Sequence, residues 1–267
     1  MRKYIIVVFV LLVLFVTFVC CYYSFNHCYG LAEKQTGLSV LHHNDDTIRI
    51  AYIGDSWAYN HKEMKCIIDS VIHAQIGKPV QIMNAGVGGL TSKEIYNGIF
   101  TTIELRSAIE WGPDFCFVSA GINDCNKKVG TENYKENMRL LISLLLDNHI
   151  TPVILEIPYY DIYYTFRNKS LVSMFRDVLS ILWTQSAINC IDLYSSSFND
   201  LIIEQKWQNV VITIRRAYWN PNGYEGQKEL YTSDRLHINQ DGYFVLDSCI
   251  TSQIIMFLRQ RSINFNN

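Results

Sequence analysis

The chain has 267 residues, 49% of them apolar and 18% charged, so it can bury a sizeable core and a disordered chain is excluded. Its formal net charge is −2 and it has no long basic run. That excludes nucleic acid as the main partner, because phosphate backbones are held by clustered Lys and Arg.

Arg2 and Lys3 precede an almost wholly apolar run from Tyr4 to Tyr23, interrupted clearly only by Thr17. At about 1.5 Å per helical residue this run reaches about 30 Å, the thickness of a bilayer core. Residues 1–23 therefore read as an N-terminal transmembrane helix or a cleaved signal segment. The length of the run and the lack of an Ala-x-Ala-like site favour the anchor. A lipoprotein signal ending at Cys20 or Cys21 is a weaker rival, because Val19 is bulky. Arg2 and Lys3 predict a cytoplasmic N-terminus, with the rest of the chain on the periplasmic or extracellular side. Residues 24–46 are polar and aperiodic and read as a juxtamembrane linker. Residues 47–262 read as one folded domain of the larger α/β kind.

Ile48 to Ile53 is an apolar, β-rich run that leads directly into Gly54-Asp55-Ser56. This pattern predicts a buried strand delivering a serine to a tight turn, the end of a strand at which open α/β sheets place their chemistry. A helix from about Lys62 to Gly77 follows, then a short strand over Val80–Met83. That strand ends in Asn84-Ala85-Gly86-Val87-Gly88-Gly89-Leu90-Thr91-Ser92. Walker A is excluded here because no lysine follows Gly89, and the dinucleotide fingerprint because Thr91 stands where its last glycine belongs. A helix over about Ser92–Glu110 is stopped by Gly112-Pro113. Phe115 to Ala120 is a third strand, and it ends in Gly121-Ile122-Asn123-Asp124. A helix spans Asn133 to His149, a fourth strand Pro152 to Ile157, another helix Ser170 to Ala187, and a short fifth strand Asn189 to Leu193. Residues 202–232 are less regular and carry Trp207, Arg215, Arg216, Tyr218, Trp219 and Tyr224. They shape a substrate groove or form a packed insertion. Asp234-Arg235-Leu236-His237 then precedes a last helix from about Gly242 to Leu258.

A serine attacks an acyl carbon only when a base takes its proton. The usual base is a neutral imidazole, steadied by a carboxylate. The three-residue spacing of Asp234 and His237 places both side chains on one face of a turn, with one ring nitrogen left to meet Ser56. An oxyanion needs donors aimed at it, and the Ser56 and Gly89 N–H groups and the Asn123 amide are the candidates. His61, in the loop after Ser56, reads as a loop histidine. No Cys-x-x-Cys or His-Glu-x-x-His pattern points to a metal, and no cofactor is expected. Cys116 and Cys249 lie in apolar runs and read as small core residues.

The Gly54-Asp55-Ser56, Asn84–Thr91, Gly121–Asp124 and Asp234-x-x-His237 segments resemble, in order and rough spacing, the four blocks of the SGNH, or GDSL, hydrolase family. The resemblance spans about Ile48 to Leu258. It implies a three-layer α/β/α flavodoxin-like fold with a central parallel sheet. It also implies Ser56 as nucleophile, His237 as base and Asp234 as its orienter, with Ser56, Gly89 and Asn123 forming the oxyanion hole. Ile238 stands where the family often has proline. The expectation is a membrane-anchored, exported serine esterase that cleaves O-acyl esters, such as O-acetyl groups on a glycan. An O-acyltransferase using the same triad, a lipase or thioesterase, and a non-catalytic glycan-binding module are the alternatives.

Overall fold

Strands buried on both faces read as continuous apolar runs, and such runs pair in parallel with helices covering both sides. The structure is a computed structural model, and it describes residues 2–265. The first helix, α1, spans Arg2–Tyr29, and β1 (Ile48–Gly54) follows. Helices α2 (Ser56–His61) and α3 (Ile68–Ile76) lead to β2 (Val80–Asn84). Helices α4 (Ser92–Thr101) and α5 (Ile103–Glu110) lead to β3 (Phe115–Ser119). Then come α6 (Ile122–Lys127), α7 (Thr131–Asp147) and β4 (Thr151–Leu155). After them stand α8 (Ile162–Arg167), α9 (Leu171–Thr184), α10 (Ile191–Glu204) and β5 (Ile212–Ile214). Two helical turns, α11 (Arg216–Trp219) and α12 (Gly223–Gly226), precede the last helix, α13 (Gln240–Phe265).

Among the described residues the five strands form one all-parallel sheet in the order β2-β1-β3-β4-β5. This is the doubly wound flavodoxin-like order, and the chain reverses direction across the sheet between β1 and β3. Every residue of β3 and β4 is buried, as is all of β1 except the half-buried Arg49. The strand order reverses between β1 and β3, whose carboxyl ends stand at the rim of this buried core.

Several sequence-based boundaries move. The expected helix over 62–77 begins only at Ile68, and its buried face is Ile68 and Ile72. The expected helix over 92–110 breaks at Thr102, whose backbone is extended (φ −107°, ψ 125°). The fifth strand expected at Asn189–Leu193 does not form. Ile191, Tyr194, Phe198 and Leu201 recur at helical spacing and bury one face of α10, and the fifth strand is Ile212–Ile214. Part of the segment expected as a linker instead lies against the domain. The Ala32 N–H donates to Asn137 Oδ1 at 2.8 Å, the Gln35 N–H to the Tyr96 hydroxyl at 2.9 Å, and the Leu41 N–H to the Glu110 carbonyl at 2.9 Å.

Candidate active site

β1 ends at Gly54, where φ is +138° and a Cβ would lie 2.2 Å from the Ser119 carbonyl oxygen. Only glycine fits there, because the ends of β1 and β3 touch at that point. The turn places Asp55 as the N-cap of α2: its Oδ1 accepts the Trp57 N–H at 3.0 Å and the Ser119 hydroxyl at 2.7 Å. The Asp55 side chain is wholly buried, and burial pushes its carboxyl up to about 6 in spite of these donors. Ser56 stands on the first turn of α2, half-buried.

The other half of the pair comes from the loop before α13. Thr232 N–H donates to the His237 carbonyl at 2.8 Å and Tyr231 pairs with Ile238 across an antiparallel bridge, so the loop closes as a narrow clip. At its tip Asp234 folds back on its own backbone. Its Oδ1 accepts the Thr232 hydroxyl at 2.6 Å and the Leu236 and His237 N–H groups at 3.0 Å each. That leaves Oδ2 for His237 Nδ1 at 2.6 Å, while His237 Nε2 lies 2.7 Å from Ser56 Oγ. Partial burial pushes the Asp234 carboxyl up, but the donors from Thr232 and His237 outweigh it and hold it at about 2. The carboxylate is therefore charged at neutral pH. It favours the tautomer with the proton on Nδ1 and leaves Nε2 free to accept from Ser56.

The glycine loop is stitched to the same edge. Ala85 N–H donates to the Tyr52 carbonyl at 2.8 Å and Val87 N–H to the Gly54 carbonyl at 2.9 Å. Gly89 adopts φ +82°. Lys127 Nζ donates to its carbonyl at 2.8 Å, and Asn123 Nδ2 donates to the neighbouring Leu90 carbonyl at 3.0 Å. Asp124, buried beneath this contact and pushed up to about 6 by burial, accepts the Ser92 hydroxyl at 2.5 Å and the Ser92 N–H at 2.8 Å. Three residue pairs, Lys127–Gly89, Asn123–Leu90 and Asp124–Ser92, thus join the Asn123 segment to the glycine loop. The arrangement sets the Ser56 hydroxyl against the His237 imidazole at the end of β1, with the glycine loop and the Asn123 segment following the neighbouring strands β2 and β3.

Two buried pairs carry no local sequence signal. One is Ser119 on Asp55. The other is His61, expected in a loop but found at the end of α2: it stacks on Tyr52 at 4.6 Å and bonds Asp247 of α13 at 2.7 Å. That pair fastens the end of α2 to the last helix. The aromatic and arginine-rich stretch 202–232 is mostly packed insertion. Trp219 is buried edge-on against Trp57, and the Arg216 guanidinium lies over the Tyr159 ring and pairs with Asp192.

The profile of GDSL-like Lipase/Acylhydrolase matches residues 50–249. Among solved structures the chain is similar to the psychrotrophic esterase EstA from Pseudoalteromonas sp., with a TM-score of 0.53 and 15% identity, covering 80% of this chain and 100% of that one. It is also similar to the lipase/acylhydrolase from Enterococcus faecalis (TM-score 0.52, 16% identity, 78% of this chain and 95% of that one). A variant of an acetyl xylan esterase from Geobacillus stearothermophilus gives a TM-score of 0.52 at 16% identity, over 78% of this chain and 94% of that one. Likeness at this identity speaks to the fold. No curated protein matches the sequence.

Proposed function

This chain belongs to the GDSL-like lipase/acylhydrolase family, and on that premise we propose that it cleaves O-acyl esters through Ser56, His237 and Asp234. The observation that carries the reading is the unbroken path Ser56 Oγ–His237 Nε2 (2.7 Å) and His237 Nδ1–Asp234 Oδ2 (2.6 Å). In this mechanism Ser56 Oγ attacks the ester carbonyl as its proton passes to His237 Nε2, and the charged Asp234 steadies the imidazolium. The Ser56 and Gly89 N–H groups and the Asn123 amide take the oxyanion. His237 then returns the proton to the departing alkoxide. It next activates a water that releases the acid and regenerates Ser56.

We assign the substrate to short acyl groups, acetyl first, carried on a glycan outside the cytoplasm. The acetyl xylan esterase in the comparison set supports that choice, and α1 supports the location. Lys3–Cys20 is unburied and apolar enough to cross a bilayer as an anchor, with Arg2 and Lys3 at its N-terminal end. The test treats the full chain in detergent with a fluorophosphonate and a series of aryl esters, then measures acetate released from O-acetylated xylan. Labelling at Ser56 with preference for acetyl over longer chains is expected. A folded chain that neither labels nor turns over any ester would end the proposal.

A further inference from the structure

Helix α9 is inverted. Ser170 caps it by accepting the Ser173 N–H at 3.2 Å, and the stripe Leu171, Val172, Phe175, Val178, Leu182, Trp183 runs along one face. An amphipathic surface helix normally turns such a stripe to the core. Here the stripe faces solvent, from 44% exposed at Val178 to 83% at Leu171, while the buried residues are Asp177 and Ser180. A lysine fixes this orientation. Lys169 Nζ pairs with Asp177 Oδ2 at 2.5 Å and donates to the Asn126 carbonyl at 2.7 Å. The polar side is thus sewn to α6, the helix that carries Asn123. A contiguous exposed apolar face of this extent marks an interaction surface.

We propose that this face of α9 lies in the headgroup region of the bilayer that α1 crosses, so that the domain meets the lipid at a second point. The proposal rests on the anchor reading above. Three observations select lipid as the occupant. The face is made of Leu, Val, Phe and Trp and holds no exposed acid, the apolar side of a helix that lies in a membrane interface. The anchor also arrives close by. The chain leaves α1 at Gly30, whose carbonyl accepts from Asn137 Nδ2 of α7 at 3.5 Å, and a Cβ on Gly130, which caps α7, would lie 3.2 Å from Thr184 at the end of α9. Gly130 and Asn137 are two turns apart, about 10 Å along α7. Finally, the tether is short: Cys20 to Gly30 spans about 15 Å of helix, so the domain stays near the bilayer edge. Lipid contact at α9 would hold the mouth of the Ser56 site beside the membrane surface.

Tryptophan emission tests this directly, because α1 contains no tryptophan. The full chain, wild type or Trp183→Phe, is reconstituted into vesicles of phosphatidylcholine and phosphatidylglycerol with brominated acyl chains. Carbonate extraction is run in parallel to score the anchor. Phosphonate labelling of Ser56 checks that each variant is folded. Docking predicts that bromolipid removes about half or more of the emission lost on Trp183→Phe substitution, and leaves the variant's own emission unchanged. A third chain, Leu171→Ser with Phe175→Ser and Leu182→Ser, keeps Trp183 and should escape quenching. Equal quenching of wild type and Trp183→Phe, or none in either, overturns the docking. If the chain also resists carbonate, the anchor reading stands without it; if carbonate releases the chain, both fall. A concentration-dependent Trp183 shift without quenching assigns the face to a second copy and overturns the proposal.

Discussion

Ser119 clamps Asp55 from two sides: its hydroxyl donates to Asp55 Oδ1 at 2.7 Å, and its carbonyl accepts the Asp55 N–H at 3.0 Å. The clamp fixes the residue before Ser56 at the point where β1 and β3 converge. It also keeps a carboxyl in a dry site, and this gives the chain a definite pH response. The folded-state value, about 6, lies above the usual value near 4, so the folded chain holds the proton more tightly than the unfolded one. Stability from this group is full below about pH 4 and is lost as pH rises through about 6, on the order of 3 kcal/mol. Asp124 has the same sign and window. Urea unfolding from pH 4 to pH 7 should therefore show falling stability, and Asp55→Asn should remove about half of the slope. An unchanged slope would show that Asp55 does not titrate there.

The contact between Ser56 and His237 predicts unequal losses. Ser56→Ala and His237→Ala should each lower kcat for an aryl acetate by about 10³-fold or more, with little change in unfolding temperature, since neither side chain is in the core. Asp234→Asn should cost about 10² to 10⁴ in kcat, because the amide no longer favours the tautomer with the proton on Nδ1. Steady-state kinetics on the three variants checks this, and near-wild-type turnover in Ser56→Ala would remove Ser56 from the mechanism.

Asn123 now donates to the Leu90 carbonyl, and it has a second N–H for an oxyanion. Asn123→Ala should therefore reduce kcat about 10² to 10³-fold and leave KM nearly unchanged, the pattern of an interaction made in the transition state. A rise in KM at constant kcat would assign the amide to ground-state binding instead.

His61 and Asp247 are both buried, at 4% and 0% side-chain exposure, and lie 2.7 Å apart. Removing one partner strands the other in the core. Asp247→Ala should destabilise the fold by about 3–5 kcal/mol, read as a shift in the urea midpoint. Because α2 ends at His61, ester turnover should fall with it. A variant as stable as wild type would mean that the pair is dispensable.

The thiols of Cys125 and Cys190 lie 2.9 Å apart in the interior. The Cys125 hydrogen bond lowers the Cys190 thiol, against its burial, and Lys128 Nζ at 3.4 Å lowers it further. Given a disulfide-exchange oxidant, the two thiols should yield one disulfide, two protons and two electrons, the electrons reducing the oxidant's own disulfide. Treating the folded chain with oxidised glutathione and then mapping peptides without reductant should recover the Cys125–Cys190 crosslink. Alkylation of both thiols after that treatment would count against it.

Much of the architecture was legible locally. The run Ile48 to Gly54 reads as a strand because Ile48, Ile50, Tyr52 and Ile53 favour extended backbone and burial, and the serine turn follows at once. The order of the four blocks carried the fold and pointed to the candidate triad before any coordinate. The fifth strand was misread because Ile191 and Leu193 imitate a strand over five residues, whereas the stripe that decides the matter, Ile191 to Leu201, is longer. β5 spans three residues at a sheet edge, too few for a period to register.

The amino-acid order by itself determined what neighbouring residues impose on one another: strand runs, helix stripes, the glycine at position 54 and the Asp234-x-x-His237 turn. Tertiary packing alone decided which distant groups meet. Ser56 and His237 are 181 positions apart, and His61 and Asp247 are 186 apart, so no local pattern ties them together. It also decided which way α9 faces. The stripe was readable as a helix, but the buried Lys169–Asp177 pair turned its polar side inward, because an ion pair taken from water must be satisfied where it is buried, while the apolar stripe was left for another surface.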